Sequence, residues 1–278
     1  MPVATLHLLA LAKSTDSESF LHQLKQYPDI KVVVASRPRH VVIHPTILDQ
    51  STLAQTAWDL LVLLTKNQPE ETQDPIPAAL RSNITAEYKV TAGIPSKLIT
   101  SYPTRDAQLK QKASSIPLTG SLDKVLREGS KDSSQNLEVS PQLLEFMTEL
   151  TKTHSGPVTM LNLLHFHHPG GKGSYFKYGQ AFIPVAGKRG GDAKLVGNVV
   201  PPGKGQKEDS RGSPDRPQQE WWNEISIVHY PSIRHFCDML AGDDYQEINE
   251  KYRLSALRDT FLMCTTEFDS QTAAVSKL

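Results

Sequence analysis

The sequence predicts an α+β protein in which two modules follow one another, each with the order strand–helix–strand–strand–helix–strand. Three observations support this prediction. Short, largely apolar runs alternate with helical patterns in both halves of the 278-residue chain. The third predicted strand opens with Trp58-Asp59 in the first half and with Trp222-Asn223 in the second. A polar segment with one clear helix joins the two halves. The same order of elements is therefore predicted once on each side of this segment.

The N-terminal module, residues 1–105, is assigned from apolar runs that are bounded by turn residues. Its strands are predicted at residues 4–12, 31–43, 58–65 and 87–93. Its helices are predicted at residues 17–27 and 75–84. Pro38 lies inside the second strand, where its missing N–H predicts a bend.

Residues 106–154 are predicted to be a helical linker. Ser140 can accept a hydrogen bond as the N-cap of its one clear helix, and Pro141 suits the first helical position. Leu144, Met147 and Leu150 recur at helical spacing, so they define the side of this helix that packs on the core.

The C-terminal half has the more strongly patterned elements, with strands predicted at residues 158–166, 194–200, 222–230 and 260–268. One helix is predicted to follow Ser174 as its N-cap and to end at residues 190–191, and a second helix to span residues 232–257. Residues 201–219 are rich in proline, glycine and charge, which predicts a mobile loop. The order of elements is that of the ferredoxin-like split βαβ motif.

Composition narrows the class of protein. The 30 Lys and Arg residues balance the 30 Asp and Glu residues, and this zero net charge argues against general nucleic-acid binding. The apolar stretches are too short to span a bilayer, and the apolar N-terminus is predicted to be a strand rather than a signal peptide. Cys237 and Cys264 are too few for a disulfide framework, which favours a reducing, intracellular setting.

Several stretches of the C-terminal half together match the pattern of a known superfamily. They are MLNLLHF at 160–166, Tyr175 and Tyr178 in the first helix, GG at 190–191, W-x₇-YPS at 222–232 and DDYQEINEKYRLSALRDT at 243–260. With these stretches, residues 155–268 resemble the dimeric α/β-barrel superfamily of ferredoxin-like domains, above all its small domains of unknown function. The N-terminal half matches in element order alone. The resemblance implies two tandem ferredoxin-like modules that form a pseudo-dimeric α/β barrel.

The function that the resemblance implies is broad. Members of the superfamily include cofactor-free monooxygenases, polyketide cyclases, lactone isomerases, haem-degrading enzymes and proteins without known activity, so the fold does not choose the chemistry. A sheet that helices cover on one side leaves its other side apolar and in need of a partner. Two modules in one chain can cover each other as an intramolecular pseudo-dimer, and a homodimer is the alternative.

Histidines at the predicted ends of two strands are the first catalytic candidates. His165 and His167 end the first strand of the C-terminal module and His229 ends the third, and we expect these strands to be adjacent and parallel. Three imidazoles could then bind a metal, but no carboxylate or cysteine at ligand spacing supports such a site, so we predict no metal ligands. A single histidine acting as a general base is favoured, and solvated side chains are the simple alternative.

Asn162 is the third catalytic candidate, because it is a polar amide inside an apolar strand. A buried amide needs hydrogen-bond partners, so Asn162 either polarises a substrate carbonyl in a pocket between sheet and helices or bonds to the backbone. Tyr178 and Trp222 could line the same pocket and bind substrate, although aromatic residues at these spacings are more often plain core.

Arg253 and Arg258, near the end of the last predicted helix, are candidates for binding a substrate anion. They complement the helix dipole, and a surface ion pair with Asp259 is the simpler explanation. The sharper hypothesis is that they hold a carboxylate or an enolate. The sequence has no P-loop, Rossmann, nucleophile-elbow or C-x-x-C motif, and we predict no cofactor.

In a eukaryotic cell, the tripeptide Ser276-Lys277-Leu278 is the signal that the peroxisomal import receptor recognises, and residues 269–278 suit a flexible tail. Together with the resemblance, it predicts a cofactor-independent enzyme of the peroxisomal matrix. Its substrate would be a small apolar carbonyl or aromatic metabolite, and its reaction that of an isomerase, cyclase or monooxygenase. The alternative is a non-catalytic small-molecule-binding or scaffold protein of the same fold. A cavity lined by Asn162 and a titratable group favours the enzyme, whereas a solid core there, with His165 and His229 both facing solvent, favours the scaffold.

Overall fold

The computed structural model describes residues 2–66, 75–129, 135–200, 210 and 217–268. Its strands are β1 Val3–Leu11, β2 Ile30–Ile43, β3 Leu60–Lys66, β4 Ile84–Gly93, β5 Val158–Phe166, β6 Asp192–Val199, β7 Glu224–Tyr230 and β8 Leu257–Glu267. Its α-helices are α1 Ser17–Leu24, α2 Gln50–Gln55, α3 Ser96–Lys112, α4 Ser121–Glu128, α5 Pro141–Thr153, α6 Gly171–Gly187, α7 Ile233–Leu240 and α8 Asp243–Ile248. The remaining helical turns are 3₁₀ at Ala78–Asn83, Ala113–Ser115 and Gln218–Glu220, and π-helical at Asn249–Arg253.

The strands form one closed barrel in the order β1-β3-β2-β8-β5-β7-β6-β4. Each module contributes a four-stranded sheet with its strands in the ferredoxin-like order, and the seams between modules are the pairs β2–β8 and β4–β6. All pairs are antiparallel. The predicted fold, two tandem ferredoxin-like modules in a pseudo-dimeric barrel, is therefore confirmed. The bend expected at Pro38 is a shift of register against β8 between Pro38 and His40.

Three apolar clusters make up the core. The first fills the barrel interior with side chains from both modules, such as Leu8 and Leu61 from one and Leu163 and Phe261 from the other. The second lies between the outer face of the C-terminal sheet and helices α4 to α8. The third lies between the N-terminal sheet and α1. Because the interior cluster needs side chains from both sheets, the two modules share one core inside the barrel.

Helices differ from the predictions at several places. Helix α6 begins at Gly171, after Gly170 with a left-handed φ of 98°, and not after Ser174. The helix expected over residues 232–257 is split into α7, α8 and the π-helical turn, because the chain is extended at Gly242. A Cβ there would collide with the Arg189 guanidinium and the Asp244 carboxylate. The helix expected at residues 75–84 is a 3₁₀ turn.

The segment between the modules holds more structure than one helix. Ser140 caps α5 as predicted, with its Oγ accepting a hydrogen bond from Leu143 N at 3.1 Å. Helices α3 and α4 were not predicted, because α3 carries Pro103 inside it and a short apolar stripe. Ile99 and Tyr102 of α3 nevertheless join the cluster inside the barrel.

Some predictions concern residues outside the described ranges, namely the C-terminal tail with the tripeptide 276–278 and most of the loop 201–219. Ser210 of that loop is described, and its backbone N–H donates to Lys89 O of β4 at 3.1 Å. Across the described residues, no helix is both long and apolar enough to cross a membrane.

Candidate functional site

An apolar cavity, which we call the helix-side pocket, lies between the outer face of the C-terminal sheet and helices α6 to α8. Its volume is about 350 Å³, within the range of small-molecule sites. Strand alternation turns every second residue of β5, β7 and β8 towards the helices, and apolar side chains from these strands and helices form most of its lining: Met160, Val228, Leu262, Phe182, Phe236 and Met239.

A ladder of aromatic rings forms the α6 side of the pocket. The ring centroids of Tyr175 and Tyr178 are 5.2 Å apart, and those of Tyr178 and Phe182 are 5.6 Å apart. These residues recur at helical spacing, so they share the face of α6 that packs on the sheet. The Tyr178 hydroxyl donates to the Tyr245 hydroxyl at 3.3 Å, which links α6 to α8. The predicted placement of Tyr178 in a pocket beside the sheet agrees with this geometry.

Two polar side chains on neighbouring strands face the pocket from the sheet. Asn162 of β5 and Ser226 of β7 are direct cross-strand partners, and both line the pocket. Asn162 Nδ2 donates to Met160 O at 3.2 Å, which is a local bond to its own strand. The side chain of Asn162 therefore satisfies part of its hydrogen-bonding capacity from the backbone and presents the rest to the pocket.

Glu224 is the acidic group of the helix-side pocket. It opens β7 two residues before Ser226, so alternation turns it to the same face. Burial raises the pKa of Glu224 to about 7, and the nearby Lys172 ammonium opposes that rise. Lys172 also lines the pocket, with its Nζ donating to Asn198 Oδ1 at 2.8 Å. A carboxyl group with such a pKa can exchange a proton near neutral pH.

Arg253 is a second cationic group of the same pocket, and it enters from the π-helical turn. Its side chain is almost fully buried, and its hydrogen bonds within the described residues go to neutral acceptors: Gln135 O at 3.0 Å, Thr260 Oγ1 at 3.4 Å and Asn249 Oδ1 at 3.5 Å. Among these residues, no carboxylate lies within ion-pair distance of its guanidinium. A buried guanidinium without an acidic partner is costly unless an anion or a developing negative charge compensates it.

The groups that line the pocket do not fit a haem. Histidine and cysteine are absent from its described lining, and Met160 and Met239 do not replace them, because methionine ligates haem iron together with a histidine. Tyrosine binds haem iron as tyrosinate, whereas the Tyr178 hydroxyl keeps its proton as a donor to the Tyr245 hydroxyl. Nor do the described residues hold any cluster of three or more metal-ligating side chains. We therefore derive no step through a haem or a metal ion.

The expectation that β5 and β7 run parallel is wrong. They are adjacent but antiparallel, because the split βαβ connection places the parallel strand one position further away in the sheet. His229 therefore lies opposite Thr159 at the start of β5, whereas His165 lies opposite Asp259 at its end. Six strand residues, or about 20 Å, separate these two positions along β5.

The two histidines point into the barrel and not into the helix-side pocket. His165 is fully buried, with its Nδ1 lying 2.8 Å from Trp221 O and 3.3 Å from Asn223 Oδ1. Burial lowers its pKa. His167 is exposed to solvent. The structure thus separates His165 and His229 from each other and from Asn162, which lies on the opposite face of the sheet.

Trp222 and Arg258 also lie outside the pocket. Trp222 is buried in the barrel interior with the apolar cluster of both modules. Arg258 is exposed. The Asp259 carboxylate is not held by the surface ion pair with Arg258 that the sequence suggested. Asp259 is buried and accepts hydrogen bonds from the backbone N–H groups of Thr46, Ile47 and Leu48 at 2.8–2.9 Å.

Sequence reasoning thus found Asn162, Tyr178 and Arg253 of the helix-side pocket and missed Glu224 and Ser226. A signal for both was present. They alternate with Ile225 and Ile227 in the third strand of the module, so they had to face away from the barrel interior.

Fold and pocket together define the class: a single-chain α/β barrel of the dimeric α/β-barrel type, with a pocket between one sheet and its helices. No family model matches the chain, and neither does any curated protein. Solved structures are similar to it. The methylated form of RPA0582, a protein of unknown function from Rhodopseudomonas palustris, is 25% identical over 49% of this chain and 96% of that chain, with a TM-score of 0.35.

Two further similar structures extend over both modules. A Lactobacillus acidophilus protein named for a proposed monooxygenase activity is 7% identical, covers 96% of this chain and 93% of that chain, and gives a TM-score of 0.46. A mutant chlorite dismutase from Candidatus Nitrospira defluvii is 11% identical, covers 95% of this chain and 91% of that chain, and gives a TM-score of 0.42.

Proposed function

We propose that the protein is an enzyme that uses the helix-side pocket to transfer a proton on a small, largely apolar carbonyl or aromatic metabolite. The observation that carries the proposal is that the Glu224 carboxyl and the buried Arg253 guanidinium line one apolar cavity. This satisfies the condition set by the sequence, a cavity lined by Asn162 and a titratable group. The scaffold alternative, by contrast, needs a solid core at this place.

The chemistry follows from the two groups. The Glu224 carboxylate takes a proton from the carbon next to a substrate carbonyl, and the electron pair of the broken C–H bond moves onto the carbonyl oxygen. The enolate oxygen is stabilised by the positive charge of Arg253 and by hydrogen bonding to a polar neighbour such as Asn162. The proposal assigns the proton transfer to Glu224, not to His165 or His229, because neither histidine lines this pocket.

Three outcomes can follow from this enolate without an organic cofactor. Return of the proton at another carbon is an isomerisation, and attack of the carbanion on a second carbonyl is a cyclisation. Oxygenation consumes molecular oxygen as co-substrate. The carbanion gives its electron pair to oxygen and forms a C–O bond, Glu224 returns its proton to the resulting peroxide, and loss of water from the hydroperoxide, with cleavage of the O–O bond and of a C–H bond on the same carbon, leaves a new carbonyl group. The apolar lining excludes water from the carbanion in each case.

The test begins with capture of metabolites by the purified full-length protein, identified by mass spectrometry, and continues with turnover assays on the captured compounds. Glu224→Gln is expected to abolish turnover while leaving capture nearly unchanged, and Arg253→Gln to lose both. Arg258→Gln is the matched control, because it removes an exposed arginine nearby and should leave both intact. Capture without turnover by the wild type would favour the binding protein instead.

We also propose that the enzyme acts in the peroxisomal matrix, where the import receptor is its delivery partner. The support is the tripeptide Ser276-Lys277-Leu278 at the end of the sequence.

A further inference from the structure

The helix-side pocket reaches the surface of the molecule along α6. Phe176, Gly179 and Ile183 line the pocket on this side, and we call these three residues the α6 rim. Spacings of three and four residues place them on one stripe of the helix. The aromatic ladder of α6 occupies the neighbouring stripe, which packs on the sheet. The rim is thus a second stripe of the helix, beside the one that belongs to the core.

Phe176 and Ile183 are unusually exposed for large apolar residues. Their exposed fractions are 66% and 70%, and no other large apolar residue in the described ranges exceeds 52%. Isolated apolar residues are common at protein surfaces, whereas exposed apolar residues that continue the lining of a pocket indicate a ligand-binding groove. The rim adds apolar contact surface to a pocket of about 350 Å³, which is near the lower end of the range for small-molecule sites.

Gly179 separates these two side chains and leaves open space between them. It lies in the interior of α6, where an added Cβ would meet no described atom within 4 Å. Packing against the described residues therefore does not require a glycine here, and a glycine inside a helix lowers the stability of the helix relative to alanine. The missing side chain keeps a groove across α6 clear, and this groove adjoins the pocket.

The rim is neutral, whereas other sides of the pocket carry its polar groups. Within the described part of the chain, no charged residue lines the pocket between Phe176 and Ile183. Glu224 and Asn162 face the pocket from the sheet, and Arg253 faces it from the π-helical turn. A substrate with its carbonyl group at Glu224 can therefore place an apolar chain on the rim without bringing that chain against a charge.

We propose that the substrate is an elongated carbonyl compound whose alkyl chain leaves the helix-side pocket across Gly179, between Phe176 and Ile183. The inference rests on the proposed function, because it takes the substrate carbonyl to lie beside Glu224. Each methylene group on the rim removes apolar surface of the chain and of the rim from water, so affinity depends on chain length. A flexible alkyl chain suits a rim that is apolar, neutral and continuous with the pocket.

Calorimetric titration of the full-length protein with acetylacetone, butanoylacetone, hexanoylacetone and octanoylacetone tests the proposal. These diketones share one enolisable head, and each step of the series adds two methylene groups. Affinity is expected to rise along the series, by up to roughly fourfold for each methylene group that leaves water. Equal affinities of acetylacetone and octanoylacetone would overturn the proposal.

Variants of the rim separate its contribution from that of the rest of the pocket. Gly179→Leu, which fills the groove, should weaken octanoylacetone binding by roughly tenfold and change acetylacetone binding by less than about twofold. The double variant Phe176→Ser with Ile183→Ser should have the same selective effect, and it decides the question if the leucine variant fails to fold. Leu126→Ser, which removes an exposed apolar residue of α4, is the matched control and should change neither affinity.

Octanoylacetone binding that the double variant leaves unchanged would refute the role of the rim. If the same variant also converts a dimer of the wild type to monomers in sedimentation, the rim is an interface between copies of the chain instead. Glu224→Gln should abolish turnover yet keep the dependence of affinity on chain length. Absence of turnover by the wild type, together with selective losses in the rim variants, would refute the proposed catalysis and still support the rim as a site for an alkyl chain.

Discussion

Asp59 and Asn223 make the same pair of hydrogen bonds in the two modules. Asp59 Oδ2 accepts from Leu11 N at 2.8 Å, and the Asp59 N–H donates to Leu9 O at 2.8 Å. Asn223 Oδ1 accepts from Phe166 N at 2.8 Å, and the Asn223 N–H donates to Leu164 O at 2.7 Å. In each module the residue that follows the tryptophan thus ties the entry of the third strand to the end of the first, as expected for two copies of one motif.

Both residues use a side-chain oxygen to accept a backbone hydrogen bond. We therefore expect the presence of this acceptor to matter more for stability than its charge. Asn223→Ala and Asp59→Ala leave a strand N–H without its acceptor and should each lower the free energy of unfolding by about 1–3 kcal/mol. Asn223→Asp and Asp59→Asn keep an acceptor oxygen and should lose less. Urea unfolding of the four variants measures this, and alanine variants as stable as the wild type would contradict it.

Glu224 should make the stability of the protein depend on pH. Its folded pKa of about 7 lies above the ordinary value of 4.5, because burial disfavours the charged form. The folded state therefore binds the proton more tightly, and the contribution of this group to stability falls as pH rises from about 4.5 through 7. Glu224→Gln should raise stability relative to the wild type more at pH 8 than at pH 5.

Chemical unfolding at these two pH values measures that difference. Glu18→Gln is a suitable control, because Glu18 is exposed. Its substitution should change the free energy of unfolding by the same amount at pH 5 and at pH 8. A Glu224→Gln variant with the same pH dependence as the wild type would show that Glu224 is not buried as described.

Lys194 should be among the most sensitive charged residues in the chain. Lys194→Met leaves Asp106 and Glu267 buried without their central cation, and the expected loss is about 3–5 kcal/mol of unfolding free energy. Lys152→Met, which removes an exposed pair with Glu149, should change stability by less than about 1 kcal/mol. Denaturation midpoints of the two variants measure this difference. Similar losses of stability in Lys194→Met and Lys152→Met would contradict the prediction.

Localisation depends on the last three residues if the proposed import is right. Deletion of Leu278 should leave a fluorescently tagged protein in the cytosol of a eukaryotic cell, with the tag at the N-terminus. A C-terminal fusion that masks the tripeptide should do the same, and a second Ser-Lys-Leu added after that fusion should restore import. Microscopy against a peroxisomal marker scores the result, and import of the Leu278 deletion would refute the proposal.

Much of the fold followed from local patterns. The apolar run of β5 and the capping of α5 by Ser140 depend on neighbours in the chain, so both could be predicted from the sequence. Helix α3 could not be predicted, because it contains Pro103 and its surface is largely polar. Its buried residues Ile99 and Tyr102 pack in the barrel interior, and this packing stabilises the helix. Tertiary burial there overrides a weak local preference.

By itself, the sequence determined that Asn162 and His165 occupy opposite faces of their strand and that His229 shares a face with Ile225 and Ile227. Alternation is a property of the single strand, so no other element has to be known. Only the tertiary structure decided which candidates meet. The antiparallel order of β5 and β7 sends the two histidines to opposite ends of the barrel, and the π-helical turn brings Arg253 to the pocket of Glu224. Strand direction and helix crossings depend on contacts between residues distant in the chain, which no local pattern contains.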